Sequence, residues 1–294
     1  MKNTKRVKKK AVLIFLTIYA AVFAVVFLMP TVLTFTNSFM SQSEITAHYG
    51  TVFDSNAGYM TQDVRLNLIP DIASFGQYIT VLFESPEYLL KFWNSVVLVF
   101  PIVIFQVAIA ALAAYSFTRY RGRFKEILLF VYIVIMLMPY QVTLVPNYLV
   151  ADWLNILDTN WAIWFPGIMA PFSVFLLTKF MRRVPLSYVE AAKLEGASEW
   201  HIFRKIYLPI CKSALYSVAI LVFIDYWNMV EQPIIMLSDT ETYPLSVYLS
   251  QINAGEVGVA FAVATIYMIP TLLLFFHGEE HLVEGITQSG GIKG

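Results

Sequence analysis

Six long apolar segments alternate with polar stretches along this 294-residue chain. Each segment has about twenty residues, and a helix that rises 1.5 Å per residue then spans a hydrocarbon core of about 30 Å. The pattern predicts an all-α membrane protein with six transmembrane helices. The segments cover residues 11–29, 92–117, 127–145, 161–178, 210–230 and 257–276.

The first apolar segment follows MKNTKRVKKK, in which six of ten residues are basic. A cleaved signal peptide also begins with a basic stretch, but its apolar core is usually shorter than segment 11–29. An uncleaved first helix is therefore favoured, and residues 1–30 form the basic N-terminus with that helix. Residues 31–90 are polar and predict an extracytoplasmic connection, with an amphipathic helix near 75–90. Residues 91–278 hold the other five helices as the transmembrane domain, and 279–294 form the tail.

The distribution of basic residues predicts the orientation of the helices. Eighteen of the twenty Lys and Arg residues lie in segments that alternate to one side, and Arg65 and Lys91 alone lie on the other. Loops rich in Lys and Arg stay in the cytoplasm. Both termini and the polar loop 190–209 are therefore expected to be cytoplasmic.

Composition and charge narrow the possible functions. Hydrophobic residues make up 58% of the chain and charged residues 14%, and the net charge is zero, so nothing indicates a nucleic-acid partner. The single cysteine, Cys211, excludes an internal disulfide, and the four histidines have no ligand-like neighbour at helical spacing, so no metal site is predicted. The sequence also has no G-x-x-x-x-G-K-[ST] phosphate loop. The chain is therefore expected to bind no cofactor and not to be an enzyme.

The loop EAAKLEGASEWHIFRKIYLP at 190–209 predicts a helix–turn–helix. Helix formers occupy 190–194, Gly196 supplies the turn, and a helical pattern resumes at 198–207. Pro209 is expected in the first turn of the next membrane helix. A cytoplasmic helix–turn–helix of this kind is a docking surface for a soluble partner. One apolar face is predicted from Trp200, Phe203, Ile206 and Tyr207.

The spacing of this loop resembles the EAA signature of permease subunits in bacterial ABC importers. Glu190-Ala191-Ala192 is followed after three residues by Gly196, after nine more by Ile206, and then by Leu208-Pro209. Further similarity points to the carbohydrate branch, and to the smaller permease of maltose-type and multiple-sugar importers. It lies in 113–125, 171–198, 225–239, 285–286 and 293–294. The acidic residues at 279–280 and the sequence at 229–232 depart from that branch, which leaves the substrate open.

The resemblance implies a type-1 ABC importer permease (MetI-like) core in the bacterial plasma membrane. Such a subunit pairs with a second homologous permease and sits on two ATPase subunits, which bind ATP and Mg. An extracytoplasmic solute-binding protein delivers the sugar. The loop would be the coupling helix, with Trp200 or Phe203 seated in an ATPase groove. The implied coupling residues are Glu190, Ala191, Ala192, Gly196, Trp200, Phe203, Ile206, Leu208 and Pro209.

Aromatic and amide side chains in the spans are candidates for contact with the sugar. Aromatic faces stack on sugar rings and amides hydrogen-bond to hydroxyls. The alternative is that Tyr and Trp gather at membrane interfaces without any ligand. The candidate pathway residues are Tyr140, Gln141, Asp225, Tyr226, Trp227 and Asn228.

An ion-gradient-driven secondary transporter is the main alternative function. Asp225 supports it, because an ionisable group within a span is a functional candidate. However, Asp225 lies about fifteen residues, or roughly 22 Å, into the fifth span and so near the outer surface. No inverted repeat of the spans is visible. A membrane scaffold is a third possibility, but a scaffold would not need the loop signature.

Overall fold

The computed structural model describes residues 2–53, 67–120, 122–251 and 257–290, and every regular element within these ranges is helical. The chain divides into two compact units. The first comprises Met1–Tyr88 and Gln251–Ile266, and the second comprises Leu89–Ser250 and Tyr267–Gly294.

The first helix, α1, covers Lys2–Asn37 and continues past the predicted end of the first span, with Pro30 inside it. The Thr34 hydroxyl donates to the Pro30 carbonyl at 2.9 Å, as hydroxyls do one turn back in helices. Helix α2 covers Gln42–Phe53. The amphipathic helix expected near 75–90 is instead a short α3 at Gly76–Ile79 that runs into a π turn at Thr80–Glu84. It stops there because Ser85, the residue before Pro86, adopts φ −123° and ψ 86°, outside the helical region.

Buried polar side chains hold these pieces together around Met40, Ile45 and Tyr49. Asn37 Nδ2 donates to the Tyr49 hydroxyl at 2.7 Å. Gln77 Nε2 donates to the carbonyls of Asn37 and Met40, at 3.1 and 2.7 Å. The polar connection therefore has a small core of its own.

The remaining helices follow in chain order, with a π turn at Phe203–Tyr207 and a 3-10 turn at Thr240–Thr242. They are α4 (Pro86–Arg119), α5 (Arg123–Met136), α6 (Tyr140–Trp153), α7 (Trp161–Ile168), α8 (Pro171–Met181), α9 (Leu186–Leu194), α10 (Glu199–Ile202), α11 (Leu208–Ile210), α12 (Lys212–Trp227), α13 (Glu231–Met236), α14 (Leu245–Ser250) and α15 (Val257–Gly290).

Four segments in the described ranges are long and apolar enough to cross a membrane: Val12–Asn37, Pro86–Arg119, Trp161–Met181 and Val259–Glu280. Two further candidates are pairs of bent helices. The described residues therefore contain four candidate spans, or up to six if each bent pair counts as one span.

The third predicted span, 127–145, is not a single straight helix in the structure. Helices α5 and α6 meet at 105° across residues 137–139. Pro139 has ψ 139°, so the backbone is extended there and α6 starts afresh at Tyr140. Pro146, which directly follows the predicted segment, lies inside α6.

The fifth predicted span, 210–230, is shorter and starts later than expected. Helix α12 covers Lys212–Trp227, and the preceding segment Glu199–Ile210 lies at 75° to it. The break falls at Cys211, so Pro209 belongs to the short α11 and not to the membrane helix.

Hydrogen bonds from buried polar side chains connect helices inside the second unit. Gln106 Nε2 on α4 donates to the Ser173 hydroxyl on α8 at 2.7 Å. Trp164 Nε1 on α7 donates to the Leu98 carbonyl at 3.1 Å. These bonds connect α4 with α7 and α8 around the buried side chains of Ile102, Ile163, Leu177 and Met181.

A candidate coupling loop and a polar cavity

The loop 190–209 folds as the predicted helix–turn–helix. Helix α9 ends at Leu194, and Gly196 turns the chain with φ +81°, a conformation that residues with a Cβ rarely adopt. The Gly196 N–H donates to the Lys193 carbonyl at 3.0 Å, and the Ala197 N–H donates to the Ala192 carbonyl at 2.9 Å. The Ser198 hydroxyl then caps α10 by accepting from the His201 N–H at 3.3 Å.

The residues of the apolar face predicted for the second half of the loop do not all point the same way. Phe203 and Tyr207 are buried, and their rings lie 5.1 and 4.9 Å from the ring of Tyr115 on α4. Trp200 remains 62% exposed. The structure therefore places Phe203 in the core of its own chain, where it is not available to a partner's groove. The spacing along the sequence could not show this division, because it does not reveal which of these residues pack on Tyr115 of α4.

The outward surface of the loop carries a large apolar side chain that the sequence pattern did not reveal. Leu194 is 91% exposed and lies at the corner, two residues before Gly196. Glu190, Ala191 and Pro209 are also exposed, whereas Ala192, Ile206 and Leu208 are half-buried. Leu194 was missed because it ends α9, and the periodicity that suggested an apolar face was read from the second helix only.

A charged cluster holds the loop to the end of α4. Arg119 donates from Nη2 to Oε1 of Glu199 at 3.2 Å and from Nε to Oε2 at 3.3 Å. The Tyr115 hydroxyl donates to Oε2 of Glu199, and Lys193 Nζ lies 2.9 Å from Oε1. We call Glu199, Arg119, Tyr115 and Lys193 the Glu199 cluster.

The donors of the Glu199 cluster stabilise the carboxylate in its charged form. Hydrogen bonds from Arg119, then Tyr115, then Lys193 lower the pKa of Glu199 to about 2. No sequence pattern indicates this arrangement, because Arg119 and Glu199 are 80 residues apart along the chain.

A cavity of about 530 Å³ brings together four of the six predicted pathway residues. Tyr140 comes from the start of α6, Asp225 and Tyr226 from the end of α12, and Asn228 from the turn after it. Gln141 Nε2 lies 3.5 Å from Oε2 of Glu231, which also lines the cavity. The other lining residues are Ile224, Met229, Val230 and Gln232.

A second cavity, of about 340 Å³, shares Asp225 and Tyr226 with the first. Its wall also includes Gln106 and Phe172. The residues that line the two cavities include two carboxylates, Asp225 and Glu231, and no Lys or Arg. The cavities therefore present hydroxyl, amide and carboxylate groups.

Trp227, the sixth predicted pathway residue, belongs to the core and not to the cavity. Its side chain is 1% exposed and stacks between Phe223 and Tyr267, with ring centroids 5.0 and 5.5 Å away. Its Nε1 donates to the Tyr267 carbonyl at 3.1 Å. One residue along a helix rotates the side chain by about 100°, so Tyr226 and Trp227 point in different directions.

A long part of the chain matches a known family. The match begins at Gln106, which donates to Ser173 and lines the second cavity, and ends within α15. Residues 106–286 match the binding-protein-dependent transport system inner membrane components. The chain belongs to this family. It is thus a multi-pass component of the cytoplasmic membrane and a permease subunit of the ABC class. It is neither an enzyme nor an ion-gradient-driven transporter.

Similar proteins share this permease assignment over most of their length. A putative ABC transporter permease of Caldicellulosiruptor sp. (strain Rt8B.4) is 31% identical over 231 residues, which cover 77% of this chain and 83% of that protein. The lactose transport system permease LacG of Rhizobium radiobacter is 28% identical over 225 residues, which cover 76% of this chain and 80% of that protein. The fold is similar to that in the crystal structure of a bacterial ABC transporter involved in the import of the acidic polysaccharide alginate. That match has a TM-score of 0.76 at 22% identity, and covers 91% of this permease and 95% of that chain.

Proposed function

We propose that this permease forms half of the translocation pathway for a sugar in an ATP-driven importer. It would cross the cytoplasmic membrane six times, with both termini in the cytoplasm. The distribution of Lys and Arg supports this orientation. Six crossings require that each bent helix pair contributes one crossing, with Glu199–Ile210 of the second pair on the cytoplasmic side. Residues 31–90 would then be extracytoplasmic.

The loop 190–209 is proposed to couple the permease to an ATPase subunit. The observation that carries this assignment is the division of its apolar residues. Ile202, Phe203 and Tyr207 fix the loop to its own chain, while Leu194 and Trp200 stay exposed at the corner. Large exposed apolar side chains next to a rigid turn are typical of a surface that a partner covers.

The remaining proposed partners supply functions that this chain does not perform alone. The chain has no phosphate loop, so ATP and Mg would bind to two ATPase subunits. A second homologous permease would supply the other half of the pathway. An extracytoplasmic binding protein, which the family description names as a requirement, would deliver the substrate.

The cavity chemistry favours a neutral sugar as the substrate. Tyr140 and Tyr226 offer aromatic faces, and Asn228 and Gln232 offer amide groups for hydroxyls. Asp225 and Glu231 would repel a polyanionic chain, since no Lys or Arg lines the cavity beside them. The names of relatives such as the lactose permease support the same class.

Uptake by the purified complex in proteoliposomes tests this function. The permease pair, the ATPase subunits and the binding protein would be reconstituted together, and uptake of neutral oligosaccharides would be followed with and without ATP on the cytoplasmic side. We expect uptake to require ATP and the binding protein. Uptake that continues without ATP and follows an imposed ion gradient would contradict the proposal.

A further inference from the structure

Three side chains that can bind a metal meet in the first unit. Glu44 and His48 lie one turn apart on α2, and Asp71 lies on the segment that follows residue 66. Each offers one ligand atom, and the three atoms lie within 4.8 Å of one another. The expectation that no histidine has a ligand-like neighbour at helical spacing is therefore wrong, because Glu44 lies four residues before His48. Asp71 could not be found from spacing, since it is 27 residues from Glu44.

The carboxylate of Glu44 is the central group of this cluster. Its Oε1 accepts a hydrogen bond from the Asp71 N–H at 2.8 Å. Its Oε2 is buried and has no hydrogen-bond partner. A buried carboxylate oxygen without a donor or cation is unfavourable. Neither of the two ion pairs found among the described residues involves Glu44.

The local helix cap shows that Glu44 is directed away from its usual partner. Ser41 and Glu44 have the spacing of a capping box, and the Ser41 hydroxyl accepts from the Glu44 N–H at 3.3 Å. In a complete box the glutamate would return to the N–H of the cap residue. Here its carboxylate turns instead to Asp71, which leaves the second oxygen beside the other two potential ligands.

We propose that Glu44, His48 and Asp71 form a binding site for a zinc-class divalent cation. One imidazole nitrogen with two carboxylates suits zinc, whereas calcium and magnesium prefer oxygen ligands alone. Zinc bonds of about 2.0–2.2 Å place tetrahedral ligand atoms about 3.4 Å apart. The three ligand atoms now lie within 4.8 Å of one another, and small side-chain rotations would bring them to that spacing. A water molecule would complete the four ligands.

A bound cation would fasten the segment around Asp71 to α2. That segment is already attached nearby, because the Ser74 N–H donates to the Phe39 carbonyl at 2.7 Å. The cation would add a cross-link between residues far apart in sequence, and would neutralise the buried oxygen of Glu44. The site would thus stabilise the connection between α1 and α4.

Zinc content of the purified complex tests this site. The full-length chain in its complex would be stripped with EDTA, exposed to Zn²⁺, freed of excess metal and analysed by mass spectrometry for zinc per chain. We expect H48A, E44Q and D71A each to hold one equivalent less than the wild type. D71A changes an exposed side chain and keeps the backbone N–H that donates a hydrogen bond to Glu44. Loss of zinc in D71A would therefore not be explained by misfolding.

A matched control is H201Q, which removes an exposed histidine from the loop 190–209 and should keep the full zinc count. Equal zinc in the wild type and in all three cluster variants would overturn the proposal. Competition that replaces the bound Zn²⁺ with equimolar Ca²⁺ would overturn the assignment of the metal class.

Discussion

Arg119 contacts both carboxylate oxygens of Glu199, with donor–acceptor distances of 3.2 and 3.3 Å. Arg119 ends the long helix α4, and Glu199 begins α10 in the loop 190–209. A two-point contact fixes the relative orientation of the two groups as well as their distance. We therefore expect a displacement of the loop by a partner to be transmitted to α4.

Neutralising Glu199 should weaken that connection without preventing membrane insertion. We expect E199Q to lower the number of substrate molecules transported per ATP hydrolysed by about fivefold, the equivalent of about 1 kcal/mol for a partly exposed ion pair. The charge-exchanged variant R119E/E199R should recover part of the loss. E195Q, which neutralises an exposed carboxylate in the same loop, is the control. A wild-type transport ratio in E199Q would show that the contact plays no part in coupling.

The pH dependence of this contact follows from the direction of the pKa shift. Its hydrogen-bond donors lower the pKa of Glu199 from 4.5 to about 2 in the folded protein. The contribution of ionised Glu199 to the stability of the folded protein is therefore complete above pH 4.5, and it is lost as the pH falls towards 2. The melting temperatures of the wild type and E199Q should differ by a constant amount between pH 8 and 5. This difference should shrink below pH 4.5. A difference that grows on acidification has the wrong sign for this account.

The corner at Gly196 depends on its backbone conformation and not on lack of space. A Cβ built on Gly196 meets no atom within 4 Å, but the φ of +81° disfavours any side chain. A side chain at this position would therefore strain the backbone and would not crowd a neighbour. We expect G196V to cost about 1–2 kcal/mol and to impair transport, and G196N to cost less, because asparagine tolerates this conformation. Equal transport by both variants would contradict the backbone explanation.

Close packing, in contrast, is decisive at Gly278. A Cβ there would clash with Cδ1 of Ile220, which is buried on α12. We expect G278A to destabilise the protein by about 1–3 kcal/mol, and I220V, which removes Cδ1, to restore most of that loss in the double variant. Gly122, where a Cβ meets nothing within 4 Å, provides the control G122A. Additive losses in G278A/I220V would show that the two residues do not compete for the same space.

Hydrophobic pattern and motif spacing were enough to predict the helical class and the helix–turn–helix at 190–209. They could not predict the 105° bend at 137–139, because Pro139 is compatible with either a kink or a break. They also placed Trp227 and Phe203 at the site, although both are buried. The side that faces the core depends on neighbours distant along the chain, such as Tyr115 for Phe203 and Tyr267 for Trp227.

The contacts that the sequence missed join residues distant along the chain. Glu199 reaches Arg119 across 80 residues, and Glu44 reaches Asp71 across 27. A charged residue in a loop resembles any solvated side chain until the fold supplies its partner. Local patterns therefore predicted the elements, while these clusters required the tertiary structure.

Site-specific photocross-linking in the assembled complex tests the central claim most directly. A photoreactive residue would replace Leu194 or Trp200 at the loop corner, and separately Trp153, which is equally apolar and exposed but lies at the end of α6. We predict covalent adducts with the ATPase subunit from positions 194 and 200, and none from 153. The absence of ATPase adducts at 194 and 200 in a transport-competent complex would contradict the assignment of this loop as the coupling element.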